Sequence, residues 1–331
     1  MVVFFLIFFS STRKLLGNLY FRKINMDFIT PPYLEKGDTI AIAAPARSVQ
    51  YSQIQAAVEY MQEKGFKVYL DPELYATNHQ FAGNEKHRAD LFNRLLANDE
   101  VKAIWCARGG YGTARMVDLI DFNLLKKNPK WVAGFSDVTV LLSHIAKECN
   151  MATIHSSMPV FMNEKAGQDF SDVQLAFKSL YASLRGKHTK FDLQENASLN
   201  LKDFSGEVVG GNLSVLYSIM GSSSELDWTD KILFLEDLDE YYYHIDRMVL
   251  GLKRAGKLKG LKAILVGSFM AMHDHTIPFG YSVQDILTYH CGDYGFPIIF
   301  DLNSGHHLQN IAIPFGVPAE FKDGMLTFAN L

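Results

Sequence analysis

The chain has 331 residues, of which 48% are hydrophobic and 21% charged, with a formal net charge of −4. This is the composition of a soluble globular protein of one large or two medium domains, and it leaves no basic footprint for nucleic acid. Cys106, Cys149 and Cys291 have no paired spacing, so neither a disulfide framework nor a zinc knuckle is indicated and a reducing, cytoplasmic setting fits best.

Residues 1–9 are wholly apolar but too few to span a bilayer, which takes about 20 residues. Arg13, Lys14, Arg22 and Lys23 follow this run instead of preceding it, and no small-residue cleavage site appears, so a secretory signal is not matched. Residues 1–25 therefore read as an upstream extension outside the fold, with translation starting at Met26. The competing reading is a short apolar anchor or an atypical export signal.

From there the pattern is α/β. Lys-Gly-Asp-Thr-Ile-Ala-Ile-Ala-Ala-Pro at 36–45 is a turn and a buried strand. Ile54, Ala57, Val58, Tyr60 and Met61 share one helical face, Gly65 stops that helix, and 66–70 is a second strand. A helix over 89–98 and a strand over 101–106 follow. That strand runs into Ala107-Arg-Gly-Gly-Tyr-Gly-Thr-Ala-Arg115, whose glycines expose backbone N–H groups; it matches neither a P-loop nor Gly-x-Gly-x-x-Gly. A tight connection is the plain alternative. Trp131 to Phe135 is the fourth strand, Ser136 stands at its end, and an apolar helix begins at once. Strand, helix, strand order predicts a parallel sheet whose carboxyl-end rim carries Arg108, the glycines and Ser136. Ser136 has two readings here, a nucleophile above a helix dipole or a helix N-cap followed by Asp137.

A strand over 152–155 precedes a polar stretch read as the linker, at 186–205. The second half holds a strand and a Gly-Gly turn at 206–211, a strand over 231–237 ending in Glu236 and Asp237, and a helix over 241–250. Another strand over 261–269, a helix over 281–289, a polar loop with Gly305, His306 and His307, and a hairpin turning at Asp323-Gly324 complete it. The expectation is an N-terminal parallel-sheet α/β domain at 26–185, with a nucleophile at a strand-to-helix turn, and a smaller C-terminal α/β domain at 206–331.

A nucleophilic serine needs a base and the base an orienting acid. Ser136, Glu236 and His306 supply these types at strand ends, although Val138 breaks a Gly-x-Ser-x-Gly elbow. The ordered motifs Gly37-Asp-Thr-Ile-Ala-Ile-Ala-Ala-Pro45, Arg108-Gly-Gly-Tyr-Gly112, Gly134-Phe-Ser-Asp137, Gly210-Gly-Asn-Leu213, Leu235-Glu-Asp237 and Gly305-His306 through Pro314-Phe-Gly316 resemble the LD-carboxypeptidases. These are muramoyl-tetrapeptide carboxypeptidases of the serine peptidase group that also holds the microcin C self-immunity peptidase. The resemblance implies Ser136 as nucleophile, His306 as general base and acid, and Glu236 as the residue that orients the imidazole. It further implies an oxyanion hole from the N–H groups of Asp137 and of the glycine loop, with Gly110 favoured over Gly109. Its substrate is a murein tetrapeptide, cut before the terminal D-Ala through an acyl-enzyme without metal or cofactor, usually by a homodimer. Arg108 is a candidate for the terminal carboxylate from its position, and His307 is the alternative base if the turn shifts by one residue.

Three rivals remain in view. A microcin-immunity-like peptidase acting on a peptidyl nucleotide would want an aromatic platform, for which Trp228 and Tyr241 to Tyr243 are the available residues. A metal hydrolase could use His273 and His275 with Asp274 or Asp301, but no third ligand has telling spacing. A non-catalytic muropeptide sensor would have no need to keep all three of Ser136, Glu236 and His306.

Overall fold

Residues 28–164 and 170–329 are described by the structure, a computed structural model. The leader at 1–25 and the start at Met26 lie outside the described residues. None of the described helices is long and apolar enough to cross a membrane.

Five parallel strands form the body of the first sheet: β1 (Thr39–Ala43), β2 (Lys67–Leu70), β3 (Val101–Cys106), β4 (Trp131–Gly134) and β5 (Thr153–His155), in the order β5-β4-β3-β1-β2. Between them run α1 (Tyr51–Glu63), α2 (Glu85–Ala97), α3 (Phe122–Lys127) and α4 (Thr139–Cys149). Helices on both faces explain why β3 and β4 are almost continuously buried. The order changes direction between β1 and β3, so the crevice above their carboxyl ends is a topological switch point.

After α5 (Phe161–Glu164) comes α6 (Phe170–Leu184), a helix not read from the sequence. Its buried Val173, Ala176, Phe177, Leu180 and Leu184 recur at helical spacing, and Phe177 packs edge-on against Trp105 at 5.6 Å. The 186–205 stretch contains β6 (Phe191–Asp192) and β7 (Ser198–Leu199), which pair at opposite edges of the second sheet.

That second sheet is built on β8 (Phe204–Asn212), β9 (Ile232–Leu238), β10 (Ala263–Met270) and β11 (Ile298–Ile299), all parallel, with α7 (Leu213–Ser218), α8 (Tyr242–Arg254) and α9 (Val283–Cys291) between them. Gly210 and Gly211 make no turn. They lie inside β8 at φ +135° and +132°, because a Cβ on Gly210 would stand 2.0 Å from the Phe234 carbonyl oxygen and one on Gly211 2.5 Å from Thr139 Oγ1. The glycines let β8 approach both β9 and α4.

The chain then returns. β12 (Ile313–Phe315) pairs antiparallel with β5 and completes the first sheet as its sixth strand, before β13 (Pro318–Lys322) and β14 (Met325–Phe328) extend the second sheet to eight. Asn212 N–H donates to Thr139 Oγ1 at 3.1 Å, so the end of β8 is also tied to α4 of the first half.

Candidate active site

Ser136 follows extended Phe135 (φ −155°, ψ −170°) and sits at φ +61°, a left-handed conformation that L-residues adopt at a cost of about 1–3 kcal/mol. The N-cap reading is not met. Ser136 opens a short 3-10 turn through Val138 whose cap is Phe135, α4 is entered through Val138, and neither cap bonds through its side chain. The strained turn instead leaves the hydroxyl half-buried at the rim.

Beside it runs the glycine loop after β3. The point where a Cβ would stand on Gly109 is 3.2 Å from Ser136 Cβ and 3.4 Å from its Oγ. Asp137 holds the two segments together, its buried Oδ2 accepting from Thr113 N at 2.9 Å and Thr113 Oγ1 at 2.7 Å. From below, buried Arg88 donates through Nη1 to the carbonyls of Pro45 and, at 2.7 Å, Gly112. Among the described residues no backbone acceptor outside its own element meets the N–H of Gly110 or Asp137. Arg108 is half-buried on the same loop and already has an interaction partner.

Glu236 comes from the other half, at the carboxyl end of β9, with no exposed surface. Its Oε2 lies 2.6 Å from His306 Nδ1. Burial alone would raise this carboxyl, but the charge and hydrogen bond of His306, with His155 nearby, hold it below the usual carboxylate range. His306 is presented by a pinned loop: Gly305 N donates to Asn310 Oδ1 at 2.8 Å, and Ser268 N to the Ser304 carbonyl at 2.9 Å. The Phe135 ring, one residue before the serine, lies 4.8 Å from the His306 ring, which brings the two halves together. No hydrogen bond yet joins Ser136 Oγ to His306; such pairs often tighten only in the substrate complex. His307 faces elsewhere, receiving Gln309 N at 3.2 Å and bordering a cavity of about 450 Å³ with Tyr242, Ser268 and Asn303.

Three residues here were given no role by the sequence, although Asn212 and Asp237 lie within its motifs. His155 ends β5 beside Gly134, is fully buried among Phe135, Phe234 and Phe315, and is pushed down to about 4 by desolvation. Asp237 accepts from Asn212 Nδ2, Ser214 N and Oγ, and Leu238 N; burial raises it to about 6. Asn212, in turn, bonds both to Thr139 of α4 and to Asp237 of β9. A histidine closing an apolar strand was the one available clue to the first.

The rival residues go elsewhere. His273 Nε2 meets Asp239 at 2.5 Å while His275 stacks on Tyr241 at 4.8 Å, and no group of three or more His, Cys, Asp or Glu among the described residues could hold a metal ion. Trp228 is buried, so it offers no open platform.

The sequence matches the LD-carboxypeptidase N-terminal domain over residues 40–156 and the LD-carboxypeptidase C-terminal domain over residues 205–321. The chain belongs to the LD-carboxypeptidase family. It is 35% identical over 293 residues to a probable murein peptide carboxypeptidase of Bacillus subtilis, covering 87% of this chain and 90% of that one. Among solved structures, a muramoyltetrapeptide carboxypeptidase from Oxalobacter formigenes aligns with a TM-score of 0.76 at 27% identity over 88% of this chain and 97% of its own. The microcin C7 self-immunity protein MccF in complex with glutamyl sulfamoyl guanosine aligns with a TM-score of 0.82 at 21% identity, over 91% and 98% of the two chains, which extends the likeness of fold. In this LD-carboxypeptidase the two matched domains carry the two halves of the cleft, Ser136 in the first and the Glu236–His306 pair in the second.

Proposed function

We propose that the protein is a serine LD-carboxypeptidase that releases the terminal D-Ala of murein tetrapeptides through an acyl-enzyme, with Ser136, His306 and Glu236 as its catalytic residues. The observation that carries this is the 2.6 Å bond between buried Glu236 and His306 Nδ1, with the His306 ring 4.8 Å from Phe135, the residue before the strained serine of the other half. A carboxylate on Nδ1 keeps the proton there and leaves Nε2 with the lone pair that a general base needs.

Ser136 Oγ attacks the carbonyl carbon of the penultimate diamino acid as His306 Nε2 takes its proton. The oxyanion is met by the N–H groups of Gly110 and Asp137, beside which Asp137 anchors the loop through Thr113. Collapse expels the D-Ala amine, which receives the proton from His306, and water then cleaves the ester by the same route. Arg108 is retained as a substrate contact on the same rim. The peptidyl-nucleotide reading is less favoured, because buried Trp228 cannot serve as its platform and Tyr241 and Tyr243 stack on His275.

The test is mass spectrometry of a purified murein tetrapeptide incubated with wild type and with Ser136→Ala in chelator. Loss of one D-Ala with wild type only is expected; equal release by the variant overturns the role of Ser136, and an unchanged tetrapeptide with folded wild type overturns the substrate. The homodimer and the cytoplasmic setting that go with this reading are checked by light scattering and cell fractionation.

A further inference from the structure

A carboxypeptidase must recognise a free terminal carboxylate a few bonds from the scissile carbonyl, and that calls for a cation close to the nucleophile. We propose that Arg47 is this cation and makes the specificity contact for a C-terminal carboxylate; the proposal rests on the carboxypeptidase reading above.

Arg47 lies in the loop after β1, across the switch-point crevice from the glycine loop after β3. Its stem is packed on that loop: a Cβ on Gly110 would stand 2.6 Å from Arg47 Cδ and Nε. Gly109, the neighbouring residue, is the one that abuts Ser136. Consecutive Cα atoms are about 3.8 Å apart. Arg47 thus packs against the residue next to the one that abuts Ser136, on the loop that a C-terminal residue one unit long would lie along.

Its backbone is fixed while its charge is not used. Arg47 bridges antiparallel to Phe81, with Ser48 N donating to the Gln80 carbonyl at 2.9 Å and Ala82 N to the Ala46 carbonyl at 3.1 Å. Among the described residues the exposed guanidinium has no ion pair or hydrogen bond, whereas Arg88 serves backbone carbonyls, Arg94 holds Asp71 and Glu73, and Arg115 holds Glu85. A solvated arginine is ordinary on a surface. Arg47 differs in being laid along the loop beside Ser136, where its planar fork suits a carboxylate.

The experiment compares a tetrapeptide ending in free D-Ala with the same peptide ending in D-alanine amide, which keeps shape and loses charge. kcat/KM is measured for wild type, Arg47→Ala and Arg47→Lys, and binding of both peptides to Ser136→Ala and to Ser136→Ala/Arg47→Ala is measured by calorimetry. Thermal unfolding checks that each variant is folded. Charge-assisted contacts of this kind are worth about 10- to 100-fold. Wild type should prefer the acid by about that factor, Arg47→Ala should lose the preference in both turnover and binding, and Arg47→Lys should keep part of it. Acid preference persisting in Arg47→Ala overturns the proposal and moves the carboxylate to Arg108. Cleavage of both peptides at equal rates by wild type overturns it while leaving the carboxypeptidase reading standing. Neither cleavage nor binding by the folded chain overturns both.

Discussion

Replacing Gly305 by alanine tests how His306 is aimed. Gly305 has φ +101°, and a Cβ there would stand 2.7 Å from Glu236 Cβ, 2.9 Å from Glu236 Cγ and 2.9 Å from Ser268 Oγ. Two effects add. The positive φ costs an L-residue about 1–3 kcal/mol, and the overlap with Glu236 must be relieved by moving the loop or the carboxylate. Glu236 cannot recoil freely, since it is itself fully buried within β9, so the loop should yield and carry His306 with it. A displacement of about 1 Å is enough to lower turnover about 100-fold. Gly305→Ala should therefore melt lower by about 2–4 °C for each kcal/mol of strain and lose about two orders of magnitude in kcat. Differential scanning calorimetry and steady-state D-Ala release check both numbers. A variant with wild-type kcat and melting temperature would refute the claim that close approach of this glycine to Glu236 positions the base.

Asp137→Ala should leave the Thr113 N–H and hydroxyl without their acceptor, costing about 1–3 kcal/mol in chemical unfolding, and lower kcat/KM about 10- to 100-fold by freeing the glycine loop; unchanged kinetics would disconnect that loop from the reaction. Glu236→Gln keeps the shape but removes the charge opposite the imidazolium and can impose the wrong tautomer, so kcat should fall by about 100-fold or more without loss of fold, as circular dichroism would show. His155→Phe reports on pH. Its folded value of about 4 is below the unfolded 6.5, so the unfolded chain takes up the proton first and stability due to neutral His155, present above about 6.5, is lost as pH falls toward 4. Denaturant titrations should show the wild type losing about 3 kcal/mol relative to His155→Phe across that window; a pH-independent difference would mean that the ring takes up its proton at the same pH in the folded and unfolded chains.

Much of the fold could be read locally because each helix and strand carries its own period. β3, β4 and β9 are largely apolar runs, and Arg108 and Ser136 follow two residues after the first two while Glu236 stands near the end of the third. Other features depend on what lies opposite. Gly210 and Gly211 look like a turn in sequence, and only the Phe234 carbonyl and Thr139 explain why they are straight. Ser136 looks like a cap until its φ is known. His306 is the preferred base in sequence because it directly follows Gly305, with His307 as the alternative; in the structure His306 meets Glu236 and His307 meets Gln309. Arg47 lacks a local signal altogether, since its significance comes from β1 and β3 being neighbours.

The least local feature is β12, and it bears directly on the chemistry proposed here. His306 is carried by the second half, yet seven residues later the same chain pairs with β5, the neighbour of the strand that ends beside Ser136. At its other end the His306 loop is tied to β10 through the Ser268–Gly305 bridge. The loop is thus stitched to both sheets by backbone hydrogen bonds, and His155, at the end of β5, packs against Phe234 of β9 and Phe315 of β12 just beneath it. A base that had to reach the serine across a free inter-domain cleft would depend on how the domains happened to sit. Here the returning strand makes the base's position a matter of sheet register, which a backbone fixes far more tightly than a linker can.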